Sequence, residues 1–219
     1  YDGWLLNPSE LFMHRSVLCY FFTLTFSFCI FTTEGRSEQA KDLTKTLPKA
    51  GQLEDGKPNG EGWSSLLDGN LSAWEHEAEY WSLKKGVLHG ESKGGVHHHS
   101  WTKKKYADFE LHAVFRMTGK GANSGVCIRL QPKNYDVCPG YQVDMGPGFW
   151  GCLWEEKRSG MVQRFPKKLA DQLVKTDDWN HYYVIAKGHH IQAWLNGVKT
   201  IDIIPVSYTH LRAHETCPY

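Results

Sequence analysis

Residues 106–145 read YADFELHAVFRMTGKGANSGVCIRLQPKNYDVCPGYQVDM. Phe109, Leu111, Ala113, Phe115 and Met117 alternate with Glu110, His112, Val114 and Arg116. Val126, Ile128 and Leu130 alternate with Cys127 and Arg129, and Tyr141, Val143 and Met145 with Gln142 and Asp144. A period of two residues sends successive side chains to opposite faces, so each run predicts a half-buried β-strand. The polar rows hold carboxylate, guanidinium, amide and imidazole groups side by side. Such rows suit a sheet that grips a polyhydroxylated ligand, and the expectation is that they converge on one hollow.

The flanking sequence extends the same pattern. Trp81–Leu83 and Val87–His89 flank Lys84-Lys85-Gly86 and predict a hairpin. Gly151–Trp154 and Met161–Arg164 predict a second pair, joined by a turn at Lys157–Gly160. Trp179–Ala186, His190–Leu195 and Val198–Ile204 predict a meander. Its second turn is Asn196-Gly197, a type I′ signal because both central residues must tolerate positive φ. Only Lys167–Val174 reads as a short helix. Many short strands with turns about every ten residues predict an all-β, antiparallel sandwich.

The chain of 219 residues has a net charge of +1 and 22% charged residues, so no strong field favours nucleic acid or acidic lipid. Aromatic residues make up 13%, nine of them Trp; such rings stack on sugars and also fill sandwich cores. Met13-His14-Arg15 followed by the apolar run Val17–Phe31 reads as a secretory leader, with cleavage between Thr32 and Ser37. The expected organisation is therefore residues 1–12 as translated upstream sequence, 13–36 as signal peptide, 37–60 as flexible linker and 61–204 as the sandwich. The tail 205–219 is expected to be non-native, so His210, His214 and Cys217 are not read as a metal site. Export makes the protein secreted or periplasmic, with no membrane contact after cleavage. It would permit a Cys127–Cys138 disulfide, while free buried thiols remain the alternative.

GWSSLLDG from Gly62, LSAW from Leu71, YADFEL from Tyr106, ANSGVCIR from Ala122, GYQVDMG from Gly140, DDWNHY from Asp177 and WLNGVKTID from Trp194 occur in this order. In that order and spacing the chain resembles the bacterial 3-keto-disaccharide hydrolase domain family over roughly Gly62 to Asp202. The resemblance implies a jelly roll of the concanavalin A or laminin-G type and action on a 3-keto-disaccharide or other glycoside. It also admits non-catalytic, lectin-like sugar binders. Where many members read GYEVQ, this chain has Gln142 and Asp144, so a carboxylate survives at the alternate outward position.

A ketone at C3 of a sugar acidifies the C2 hydrogen, and the glycosidic oxygen at C1 can then leave by β-elimination before water adds back. That chemistry needs a base near C2, a donor near the C3 oxygen and a proton source for the leaving group. Arg129 and Arg116 are the cationic candidates, each alternatively an ion-pair partner of Glu110 or Asp144. Asp144 and Glu110 are candidate bases, and His112 a candidate proton carrier or a structural histidine. The catalytic set is thus Arg129, Asp144, Glu110 and His112. Arg116, Gln142, Trp150, Trp154, Glu155 and Trp194 are expected to bind substrate. Glu155-Glu156 also reads as a solvated turn. No metal site is assigned and no cofactor follows from the sequence, which leaves room for a divalent cation. A divalent cation on His97 and His99 stays open beside a solvated loop leading into Trp101-Thr102.

Overall fold

The computed structural model of the protein describes residues 2–14, 53–54, 57–58, 61–67, 69–92, 97–119 and 121–205. The leader's apolar run and cleavage point, most of the linker and the tail from 206 onward lie outside the described residues, as do Cys19, Cys29, Cys217, His210 and His214.

The described chain is almost entirely antiparallel β-structure. In order it forms β1 (Asp2–His14), β2 (Leu53–Glu54), β3 (Lys57–Pro58), β4 (Trp63–Ser65), β5 (Trp74–Glu75), β6 (Trp81–Lys84), β7 (Val87–Ser92) and β8 (Trp101–Thr102). There follow β9 (Phe109–Thr118), β10 (Ser124–Ile128), β11 (Gly140–Met145), β12 (Leu153–Glu156) and β13 (Gly160–Gln163). After the helix α1 (Lys167–Leu173) come β14 (Asn180–Lys187), β15 (His190–Leu195) and β16 (Val198–Ile203). The large sheet runs β16-β15-β14-β9-β1-β7-β6, with β4 against β1; the small sheet runs β10-β11-β12-β13. The antiparallel sandwich expected from the alternation, and the jelly roll that the resemblance implies, are the observed architecture.

Alternation works in three dimensions as it does on paper. Phe109, Leu111, Ala113 and Phe115 of β9 join Tyr182, Val184 and Ala186 of β14 in one apolar cluster. Val126, Ile128, Tyr141, Val143, Met145 and Leu153 of the small sheet complete it from the other side. The two sheets therefore pack face to face, and their alternate residues point away from the core. Turn chemistry follows the sequence too: Asn196 and Gly197 have φ of 48° and 86°, the left-handed values a tight β15–β16 hairpin requires.

The segment Asp2–His14, given no place in the sandwich by the sequence reading, is the strand between β9 and β7, running from Gly3 opposite Thr118 to His14 opposite Glu110. A long strand such as β9 presents backbone donors and acceptors on both edges, and β1 pairs the edge that β14 leaves open. A second difference decides where the polar rows go. β9 and β10 are consecutive in sequence but lie in different sheets. The row Glu110, His112, Arg116 therefore faces outward from the large sheet, and the row Gln142, Asp144 outward from the small one.

Candidate active site

On the small sheet Gly125 lies opposite Asp144, Cys127 opposite Gln142, and Gln142 opposite Trp154. Opposed residues share a face, so Cys127, Gln142, Asp144 and Trp154 form one outward patch. Gly125 is needed there because a Cβ would meet the Gln142 Cγ at 2.2 Å, so the glutamine side chain lies flat across the strand. Gln142 Nε2 donates to Asp144 Oδ1 at 2.8 Å, and Cys127 Sγ donates to Gln142 Oε1 at 3.3 Å. The chain of donors ends on one oxygen of the carboxylate. The other, Oδ2, is buried with no hydrogen-bond partner among the described residues.

Asp144 is 3% exposed. Burial pushes its carboxyl up to about 7, the Gln142 hydrogen bond opposes this, and the charge of Glu156 adds to it. A carboxylate oxygen left bare and a proton affinity near neutrality are the marks of a general base. Glu156 lies opposite Gly140 on the same face, half-buried, and its charge also reaches His99. The ring of Trp154, partly exposed beside Gln142, offers an apolar platform.

The other expected site residues go elsewhere. Arg129 is a non-glycine residue with φ of 54°, just past the end of β10. Its Nη2 donates to the Gly188 carbonyl at 2.8 Å and to Asp108 Oδ1 at 3.4 Å, and that same oxygen accepts from Gly188 N–H at 2.7 Å. Arg129 thus clasps the small sheet to the β14–β15 turn. It stands four residues from Gly125, the partner of Asp144, or about 13 Å along the strand, so the two charges do not converge.

Glu110 and His112 sit on the outward face of the large sheet. Tyr183 Oη donates to Glu110 Oε2 at 2.5 Å and Lys187 Nζ to Glu110 Oε1 at 2.8 Å. His112 is fully buried; its Nδ1 lies 2.7 Å from His181 Nε2, with Trp63 and Tyr183 against its ring. Burial, then the neighbouring His112, lowers the His181 imidazole to about 3, so His181 stays neutral. Arg116 is turned to Trp179, 5.7 Å from that ring, where burial lowers its pKa against the pull of Asp178 and Asp177. Trp194 is buried between Tyr183 and Lys199 on this same large sheet.

Trp150 is a core residue stacked on Phe115 at 5.9 Å. Glu155 is 1% exposed and points to the opposite side of β12 from Trp154. Burial raises its carboxyl, but hydrogen bonds from Ser159 and the nearby Arg158 outweigh this and hold it below its usual value. Glu155 therefore tightens the β12–β13 hairpin, and Glu156 is the one that shares the patch. His97 is exposed, His98 Nδ1 bonds Glu77 Oε2 at 2.5 Å, and His99 Nδ1 bonds the Tyr135 carbonyl at 2.9 Å. Among the described residues no group of three His, Cys, Asp or Glu is placed to hold a metal ion. Cys127, Cys138 and Cys152 are free and buried, and burial pushes the Cys138 thiol up to about 12.

Sequence reasoning passed over His181, Tyr183, Lys187 and Asp108. The signal for the first three was present: His181, Tyr183 and Lys187, with Ile185 between them, occupy the outward positions of β14, as Glu110 and His112 do on β9. Asp108 had no periodic signal, because its role is to receive the turn at Gly188.

Among solved structures the chain is similar to a protein from Parabacteroides distasonis described as a candidate glycosyl hydrolase, at 25% identity, covering 66% of this chain and 73% of that one with a TM-score of 0.50. No curated protein matches the sequence. The family model described as the 3-keto-alpha-glucoside-1,2-lyase-like domain matches residues 62–214. That stretch contains both rows of polar residues and most of the sandwich, and the chain belongs to the 3-keto-alpha-glucoside-1,2-lyase-like domain family.

Proposed function

We infer that the protein is an exported enzyme that cleaves 3-keto-glycosides by elimination followed by hydration, with Asp144 as the base. Asp144 Oδ2 takes the proton from C2 of the sugar. The C–H electron pair becomes the C1=C2 bond, and the C1–O bond breaks. The aglycone oxygen leaves with the C1–O bonding pair and takes up the proton held on Asp144, which restores the carboxylate. Water then adds across the double bond, oxygen to C1 and hydrogen to C2, and the net result is hydrolysis. Paired carboxylates at glycosidase spacing are not required, because no oxocarbenium ion forms.

The observation that carries this reading is the asymmetry of Asp144: one oxygen pinned by Gln142, the other bare, in a site that holds its proton affinity near neutrality. Trp154 and Glu156, both partly exposed, form the more open part of the patch, where a sugar ring docks. The test is incubation with a 3-keto-disaccharide and with its unoxidised parent. Release of aglycone from the keto sugar alone, lost in Asp144→Asn, supports the reading. Binding of both sugars without turnover identifies a lectin and overturns it.

A further inference from the structure

The large sheet ends at β6, and beside that edge strand lies a cavity of about 270 Å³, close to the lower end of ligand pockets and on the scale of one sugar ring. Glu79, Tyr80, Ser82, Lys84, His89 and Glu91 line it together with Trp81 and Gly90. None of these belongs to the Asp144 patch. Three features show that its walls are fixed before any ligand arrives. A Cβ on Gly90 would meet the Trp81 ring at 2.2 Å, so the glycine is what allows the indole to lie across the strand. Tyr80 stacks on His98 with centroids 3.4 Å apart and planes 11° from parallel, and Glu77 holds that imidazole. The Glu91 N–H donates to the Tyr80 carbonyl at 2.9 Å, closing the cavity's rim.

The charge pattern selects the ligand. An anion would face Glu79 and Glu91, and a cation would face Lys84; the described residues hold no three-ligand metal cluster. His89 supplies no positive charge at neutral pH, because burial and Lys84 lower its imidazole to about 4. An uncharged polyol can use donors and acceptors of both signs and lay an apolar face on an aromatic ring.

We propose that the cavity beside β6 is a second saccharide-binding site, separate from the Asp144 patch, that takes one uncharged sugar ring of the polymer or oligosaccharide on which the enzyme acts. The choice of a sugar rests on the glycoside reading above; the existence of a separate site does not.

Maltose, which carries no ketone, is the probe, titrated calorimetrically into the full chain. The expected result is binding on the order of millimolar, as one ring of this size supports, and equal in wild type and Asp144→Asn. Ser82→Trp, which fills the cavity, abolishes binding. Glu79→Gln, an exposed change that keeps the shape, weakens it about tenfold. No maltose binding, undiminished binding in both variants, or loss of binding in Asp144→Asn overturns the proposal. Heat from calcium or inorganic phosphate in place of maltose overturns it too. Failure of keto-sugar turnover with cavity-dependent maltose binding intact removes the catalytic reading and leaves this one standing.

Discussion

On the outward face of the large sheet, Glu110 accepts from Tyr183 and Lys187, and His112 is bonded to His181 beneath Trp63. On the outward face of the small sheet, Asp144 is buried almost as deeply yet keeps one oxygen without a partner among the described residues. Both faces hold carboxylates and aromatics, and by composition alone they are hard to tell apart. What separates the two carboxylates is satisfaction: both oxygens of Glu110 are bonded, and one of Asp144 is not. A buried polar group with its bonds made stiffens a fold, whereas one left bare costs free energy and persists where it is used.

The sharpest way to break this contrast is kinetic. Asp144→Asn is expected to lower turnover of a 3-keto-glycoside by about 10²–10⁴-fold, the usual contribution of a general base, while Glu110→Gln leaves turnover unchanged. Equal losses would erase the distinction between the faces. In wild type the rate should rise with pH through about 7, as the Asp144 carboxyl loses its proton. A flat profile across that range removes Asp144 as the base.

Next is the pH dependence of stability. The carboxyl rises from 3.8 to about 7 on folding, so the folded state binds the proton more tightly than the unfolded chain. Stability is then highest below the unfolded value and falls as pH climbs toward 7, by up to ~4 kcal/mol. Asp144→Asn should remove this slope in denaturant titrations at pH 4 and pH 8. A mutant that keeps the slope shows that the burden lies on another group.

His112→Ala, on the large-sheet face, is expected to cost about 2–4 kcal/mol by emptying a buried position and stranding His181, with kcat unchanged for the folded fraction. Chemical denaturation beside a turnover assay checks both halves. The smallest effect is expected from Arg129→Ala. It should lose about 1–2 kcal/mol, with no compensating relief at φ 54°, since alanine keeps the Cβ that makes the left-handed region costly. A collapse in turnover at constant stability would return Arg129 to the chemistry and would mean that the ends of the small sheet approach one another during catalysis.

Much of the fold was legible in the sequence. Period-2 alternation marked β9, β10 and β11, the Asn196-Gly197 pair marked its hairpin, and the helix α1 lies in the stretch read as a short helix. The candidate site was legible only in pieces. Gln142 and Asp144 share a face, as residues i and i+2 on one strand must, and their side chains are long enough to bond. Glu110 and His112 share a face for the same reason, but it belongs to another sheet. Glu155 and Glu156 exchanged roles because the register of the β11–β12 ladder decides which of two neighbours faces outward. Trp150 and Trp194 went to buried packing because nothing local distinguishes a platform from a core ring.

The amino-acid order by itself determined which side chains alternate, where the chain turns and which residues can lie against their immediate neighbours, since these depend on backbone geometry over a few residues. Only the tertiary structure decided which strands pair, that Arg129 reaches for Gly188 instead of Asp144, and that one aspartate oxygen is buried with no partner among the described residues. Those outcomes arise from contacts between segments far apart in the chain, and desolvation exists only once such segments have closed over a group.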